Sequence, residues 1–147
     1  MTFATWDDSF RTDDRFVDAQ HQELFRMVND LYDAIVGGKG KEVLTSTLEN
    51  LIGYTVEHFE EEECLMNEMH YPVLPRHHLR HKGLTDEVID LAEEFRAGRA
   101  VLPITLSHFL ANWLTDHIKK EEVALIKYVQ AHRTAGVDSS AVLAGAR

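Results

Sequence analysis

The chain has 147 residues, with nine histidines, one cysteine and a formal charge of −10. Twenty-five acidic residues against fifteen Lys and Arg argue against a nucleic-acid backbone or an anionic membrane surface as partner, because both need a basic face. A single cysteine excludes an internal disulfide and with it a secreted disulfide scaffold.

The length suits one domain, and 44% hydrophobic residues supply a core. The start, MTFATWDDSF, has neither a basic residue nor an apolar run. No stretch approaches the ~20 apolar residues of a membrane span. The expectation is a soluble, cytoplasmic protein.

Residues 2–16 hold Phe3, Trp6, Phe10 and Phe16 among several Asp, and an arm laying aromatics over the domain is expected there. Four long segments follow, separated by breaks at Gly37, Gly38 and Gly40, at Pro72 and Pro75, and at Gly98 and Pro103. Each carries an apolar stripe at spacings of three and four, the signature of one helix face. The first stripe is Val17, His21, Leu24, Val28, Leu31, Ile35. The second is Leu44, Leu48, Leu51, Thr55, His58, Glu62, Leu65. The third is His77, His81, Leu84, Val88, Leu91, Phe95. The fourth is Leu106, Leu110, Trp113, His117, Ala124, Tyr128. Asp18 suits a cap for the first helix and Pro75 the entrance of the third. Gly53 and Gly83 lie inside helical stretches, where close packing between helices would account for them. Short connections make sequence neighbours antiparallel. The predicted fold is all-α: an up-down-up-down antiparallel four-helix bundle with an N-terminal arm, over residues 1–133. Residues 134–147 are small and weakly patterned, and read as a C-terminal tail.

The stripes contain five histidines and a glutamate at positions assigned to the core: His21, His58, Glu62, His77, His81 and His117. In an antiparallel bundle the start of one helix lies beside the end of the next, so these residues fall at one end. His58 and Glu62 are i,i+4, as are His77 and His81, and each pair projects to one side of its helix. Burying such groups unpartnered costs several kcal/mol each, on the order of a lost charge or hydrogen bond. A metal centre satisfies them together. The ligand count exceeds the four places of a closed zinc site. Imidazole with carboxylate suits iron ahead of manganese. Six or seven ligands exceed one octahedral ion with an open position, so two irons sharing carboxylate bridges fit better.

Other signals are declined. His70, His78, His108 and His132 lie off the stripes and read as surface or loop residues. Cys64 points away from the His58–Glu62 side and reads as an inert thiol. GGKGK at 37–41 lacks phosphate-loop spacing. No Glu-x-x-His pair occurs, against a ferritin-like arrangement.

The pieces DAQHQELF around His21, HFEEEECLM from His58, HHLRH from His77 and FLANWLTDHIKKEE around His117 resemble the hemerythrin family, specifically its single-domain bacterial members. The resemblance runs from about Phe3 to His132. It implies a non-heme centre of two iron ions (Fe2+/Fe3+) that binds dioxygen reversibly, for carriage, storage or delivery. One iron would take His77, His81 and His117, and the other His21 and His58. Glu62 would bridge them, with a second carboxylate and a solvent-derived oxo or hydroxo group. The two-histidine iron is then one ligand short, and dioxygen would bind there. The family places Asp five residues after its last histidine, where this chain has Glu122. On an α-helical wheel Glu121 lies about 40° from His117 and Glu122 about 140°. Wheel geometry chooses Glu121 and motif alignment chooses Glu122, which we take as the second bridge. Phe25, Phe59, Trp113, Leu114 and Ile118 are candidates for an apolar oxygen pocket. The same site leaves three alternatives open: a di-iron oxidase or peroxidase, an oxygen or nitric-oxide sensor, and an iron-handling protein.

Overall fold

A computed structural model of the chain describes residues 4–12 and 14–133. Phe3 and the expected tail at 134–147 lie outside the described residues. The architecture is the expected antiparallel four-helix bundle, and no strand occurs among the described residues.

Helix α1 spans Arg15–Val36. Its cap is Asp14, whose carboxylate accepts from the Phe16 amide at 2.9 Å and the Val17 amide at 3.1 Å. Asp18 is therefore not the cap. It lies one turn inside the helix and accepts instead from the Thr12 amide at 2.9 Å and hydroxyl at 2.8 Å, tying the arm to α1. Gly38, just past α1, takes φ 65°, where a Cβ is disfavoured. Helix α2 spans Lys41–Glu68 and α3 spans Leu74–Arg96. Pro75 sits in the first turn of α3, where a missing N–H costs nothing.

The fourth rod is composite. Helix α4 covers Ile104–Asp116, a π turn covers His117–Glu122, and α5 covers Val123–Arg133. Right-handed helical torsions at Asp116 and Val123 keep it continuous. A π turn inserts one residue and shifts the helical phase. Beyond it the buried residues are Leu125, Ile126 and Val129. Ala124, expected on the stripe, is exposed and Tyr128 is only half-buried.

The arm carries a short 3-10 turn at Asp8–Phe10. Trp6 and Phe10 pack on Phe25, with centroids 6.0 and 5.0 Å away. Ala4 exchanges two hydrogen bonds with the Asn29 side chain, at 2.6 and 2.8 Å. The Lys119 ammonium lies 5.0 Å from the Phe10 ring centroid, a cation–π contact joining the arm to the π turn. Phe16 belongs to α1 instead of the arm and is 54% exposed.

Gly53 and Gly83 are exposed, and a Cβ at either would meet nothing within 4 Å. Close helix packing does not account for them. Among the described residues no helix is long and apolar enough to cross a membrane.

The core is split in two. The larger part includes Leu24, Leu51, Phe59, Leu84, Leu110, Leu114 and Ile118. The smaller part is Leu65, Met66, Leu125 and Val129. Along α2 and the fourth rod, the buried polar residues His58, Glu62, His117 and Glu122 fall between them.

Candidate metal centre

All four helical rods deliver side chains to this level. His21 comes from α1, His58 and Glu62 from α2, His77 and His81 from α3, and His117 and Glu122 from the π turn. All seven are buried. Two groups of ligand atoms converge, each within 4.8 Å: Glu62 with His77, His81 and His117, and His21 with His58, Glu62 and Glu122. Glu62 belongs to both.

The π turn decides which acidic residue enters. In an α-helix residue i+5 faces away from residue i, but a π turn brings i+5 back under i. Glu122 is therefore 1% exposed. Its Oε1 lies 3.0 Å from Nε2 of His21 and of His58, and 3.4 Å from Nε2 of His117. Glu121 points to the back of the imidazoles. Its oxygens lie 3.4 Å from His117 Nδ1 and 3.7 Å from His77 Nδ1, and Arg80 pairs with it at 3.1 Å. The α-helical wheel misplaced both residues because it has no place for the inserted one.

Further partners hold His81 and His58 from behind. Glu63 accepts from His81 Nδ1 at 2.8 Å and from exposed His78 Nδ1 at 2.6 Å. Gln20 Oε1 lies 2.7 Å from His58 Nδ1, while its amide nitrogen donates to Glu61 at 2.6 Å. Gln20 and Glu63 do not stand out as partners from sequence. Their roles depend on how neighbouring helices are set in register.

The Nε2 atoms of His77, His81 and His117 lie 3.1, 3.3 and 3.4 Å from Oε1 of Glu62. None of these nitrogens has a hydrogen-bond partner, and neither has either Glu62 oxygen. Buried polar atoms left unpaired are costly. Here they are unpaired because they aim at a common point. Nitrogen and carboxylate oxygen donors around that point fit a divalent or trivalent transition-metal ion.

Protonation in the metal-free chain follows from the same packing. Burial opposes a charge on His58, yet its hydrogen bond to Glu122 and the nearby charge of Glu62 raise its pKa from 6.5 to about 9. His117 is also raised, because the charge of Glu62, the hydrogen bond to Glu121 and the nearby Glu122 outweigh its burial. Burial would raise Glu62, but the charge of His117 and the other close imidazole hold it well below 4.5. Burial and the neighbouring Glu62 push Glu122 up, and His21 and His117 bring it down to about 2. Imidazoles and carboxylates thus favour each other's charged forms, and a metal that binds takes the place of the protons.

An apolar cavity of about 40 Å³ adjoins the cluster, lined by Leu24, Val28, Leu51, Phe59, Leu84, Val88, Leu110, Trp113 and Leu114 with Ile52, Thr55 and Thr85. Phe59 separates it from the histidines and stacks on His81 at 3.8 Å and 3°. Trp113 stacks on His117 at 4.6 Å. Of the expected pocket residues, Phe59, Trp113 and Leu114 line this cavity. Phe25 and Ile118 are buried in the larger core and are not among its lining. A second void, about 10 Å³, touches His58, Glu62 and Glu122 and is walled by Val17, Leu65, Leu125 and Ile126 beside Gln20 and Glu61. His70, His108 and His132 are exposed, as is Cys64.

Comparison with known proteins agrees with this geometry. The family described as "Hemerythrin HHE cation binding domain" matches residues 12–129. Bacteriohemerythrin of Methylococcus capsulatus is 36% identical over 121 residues, which are 82% of this chain and 92% of that protein. Bacteriohemerythrin of Pseudomonas aeruginosa is 30% identical over 130 residues, 88% of this chain and 84% of that protein. The crystal structure of wild-type hemerythrin superposes with a TM-score of 0.78 at 34% identity, covering 82% of this chain and 92% of that one. The chain belongs to the hemerythrin family.

Proposed function

We propose that the chain binds dioxygen reversibly at a non-heme di-iron centre. His77, His81 and His117 would hold one iron, His21 and His58 the other, with Glu62 and Glu122 shared between them. When bound, two iron ions would supply the electrons that dioxygen takes up and gives back.

The observation that carries this reading is the pair of overlapping ligand groups with Glu62 in both. Three nitrogens serve one group and two the other, so with both carboxylates shared the second would have room for an exogenous ligand. The protein's part is orientation and dryness. Glu121 and Glu63 hold the rings of one group from behind, and Gln20 holds His58. Phe59, Trp113 and Ile118 keep water from the histidines on the side of the larger core, and Leu65, Leu125 and Ile126 do so on the other. A dry, preorganised site protects a reactive centre from side reactions. The void that touches the cluster is about 10 Å³ and the apolar cavity behind Phe59 about 40 Å³, which suits a diatomic ligand better than an organic substrate.

The test is a metal count. Metal-free protein loaded anaerobically with ferrous iron and freed of excess should retain two irons per chain. Retention of one iron, or a preference for zinc that excludes iron, contradicts the reading.

A further inference from the structure

The two halves of the centre differ behind the ligands as well as in ligand number. On one half, a carboxylate faces the Nδ1 of every imidazole. Glu121 faces His117 at 3.4 Å and His77 at 3.7 Å, and Glu63 faces His81 at 2.8 Å. Arg80 fixes Glu121 at 3.1 Å, and His78 takes the second oxygen of Glu63 at 2.6 Å. An ionised carboxylate only accepts, so a hydrogen-bonded Nδ1, as in His81 and His117, carries a proton, and a metal would meet the Nε2 lone pair. A carboxylate behind the ring also makes that lone pair a better donor.

The other half lacks this support. Glu61 accepts from Gln20, so the Gln20 amide group faces Glu61 and its oxygen faces His58 Nδ1. His58 is thus oriented by a neutral group. Buried His21 Nδ1 has no hydrogen-bond partner among the described residues. The outer partners therefore run from two carboxylates on one half to one amide on the other.

We propose that Glu121 and Glu63 are positioning residues that make the His77–His81–His117 half the tighter metal seat, filled first, while Gln20 serves only the His21–His58 half. This rests on the two-metal reading above. The effect of the outer carboxylates comes in addition to the difference in histidine number, and only the outer residues need be changed to measure it.

The experiment titrates metal-free protein with zinc, a diamagnetic probe, and follows the ring ¹⁵N and carbon-bound ¹H resonances of each histidine. In the unaltered chain, His77, His81 and His117 should shift with the first equivalent and His21 and His58 with the second. E121Q combined with E63Q, which preserves size, should weaken the first binding by about ten- to hundredfold and leave the second largely unchanged. Circular dichroism and metal-free thermal unfolding report whether the variant keeps its fold. Glu63→Asp should restore part of the loss where glutamine does not. Gln20→Ala should weaken the second binding alone. Simultaneous filling of both halves, or first binding unaffected by the double variant, overturns the proposal. A chain that takes only one zinc contradicts the two-metal reading instead, and the histidines that move with that zinc still decide which seat is tighter.

Discussion

Glu122 lies five residues after His117, yet its Oε1 sits 3.4 Å from the His117 Nε2. An α-helix would turn it about 140° away. One π turn removes that angle and aims both side chains at the same centre. The glutamate reaches His21 and His58 at 3.0 Å as well, and so brings a second carboxylate into the cluster beside Glu62.

Removing that carboxylate should affect the two-histidine half of the centre most. Glu122→Ala takes a shared ligand from both metals and leaves Glu62 with three histidines around one but Glu62 with only two around the other. The iron-to-chain ratio after gel filtration should fall from two towards one. Glu122→Asp keeps the charge and shortens the reach, and should retain both irons with weaker binding of the second. An unchanged ratio in Glu122→Ala would falsify the role given to this residue.

The metal-free chain should be most stable between about pH 4.5 and 6.5. Glu62 and Glu122 have lowered pKa values, so their ionised forms add stability above about 4.5, which is lost as pH falls through the lowered values, about 2 for Glu122. His58 and His117 are raised, so their protonated forms add stability below 6.5, which is lost as pH rises through the raised values, about 9 for His58. Urea midpoints measured across this range should drop on both sides. Bound metal keeps the imidazoles neutral, so the alkaline loss should vanish in the loaded protein. Metal-free stability that rises between pH 6.5 and 9 contradicts this balance of charges.

Metal removal should lower the melting temperature, because ions that bind only the folded chain stabilise it by mass action. Differential scanning calorimetry of loaded and metal-free protein measures the difference. Coincident melting curves contradict a pre-assembled buried site.

Phe59 is 4% exposed and stands between the apolar cavity and the histidines. Phe59→Ala should cost about 3–5 kcal/mol in stability, the usual range for a buried phenylalanine. It should also open the cluster to the cavity and speed irreversible oxidation of the reduced centre. Denaturant unfolding and the bleaching rate in air measure the two effects.

Gly53→Ala and Gly83→Ala should each stabilise by about 0.5–1 kcal/mol. Both positions are helical and open to a Cβ. Destabilisation at either would show that the helix surface there has a partner.

The bundle was legible because four stripes at 3.6-residue spacing leave few other packings. The five histidines and Glu62 were legible for the same reason: polar residues on a buried stripe need a common purpose. The π turn left no mark in that periodicity, so Ala124 and Tyr128 were expected inside and Glu121 competed with Glu122. The five-residue spacing from His117 to Glu122 was the available signal, carried by motif alignment against the wheel. The cap was misread by one turn because Asp14 and Asp18 are the same residue type near one helix start. Gln20 and Glu63 stayed hidden because their roles depend on register between helices, which one sequence does not print.

The most direct measurement is an oxygen cycle. Reduced, iron-loaded protein is exposed to dioxygen, its visible absorption recorded, and the gas removed under vacuum, over several rounds. A dioxygen-dependent band that appears and disappears with full amplitude is the predicted result. Irreversible bleaching in the first round, or steady dioxygen consumption when a reductant is present, would contradict reversible binding and point to an enzyme.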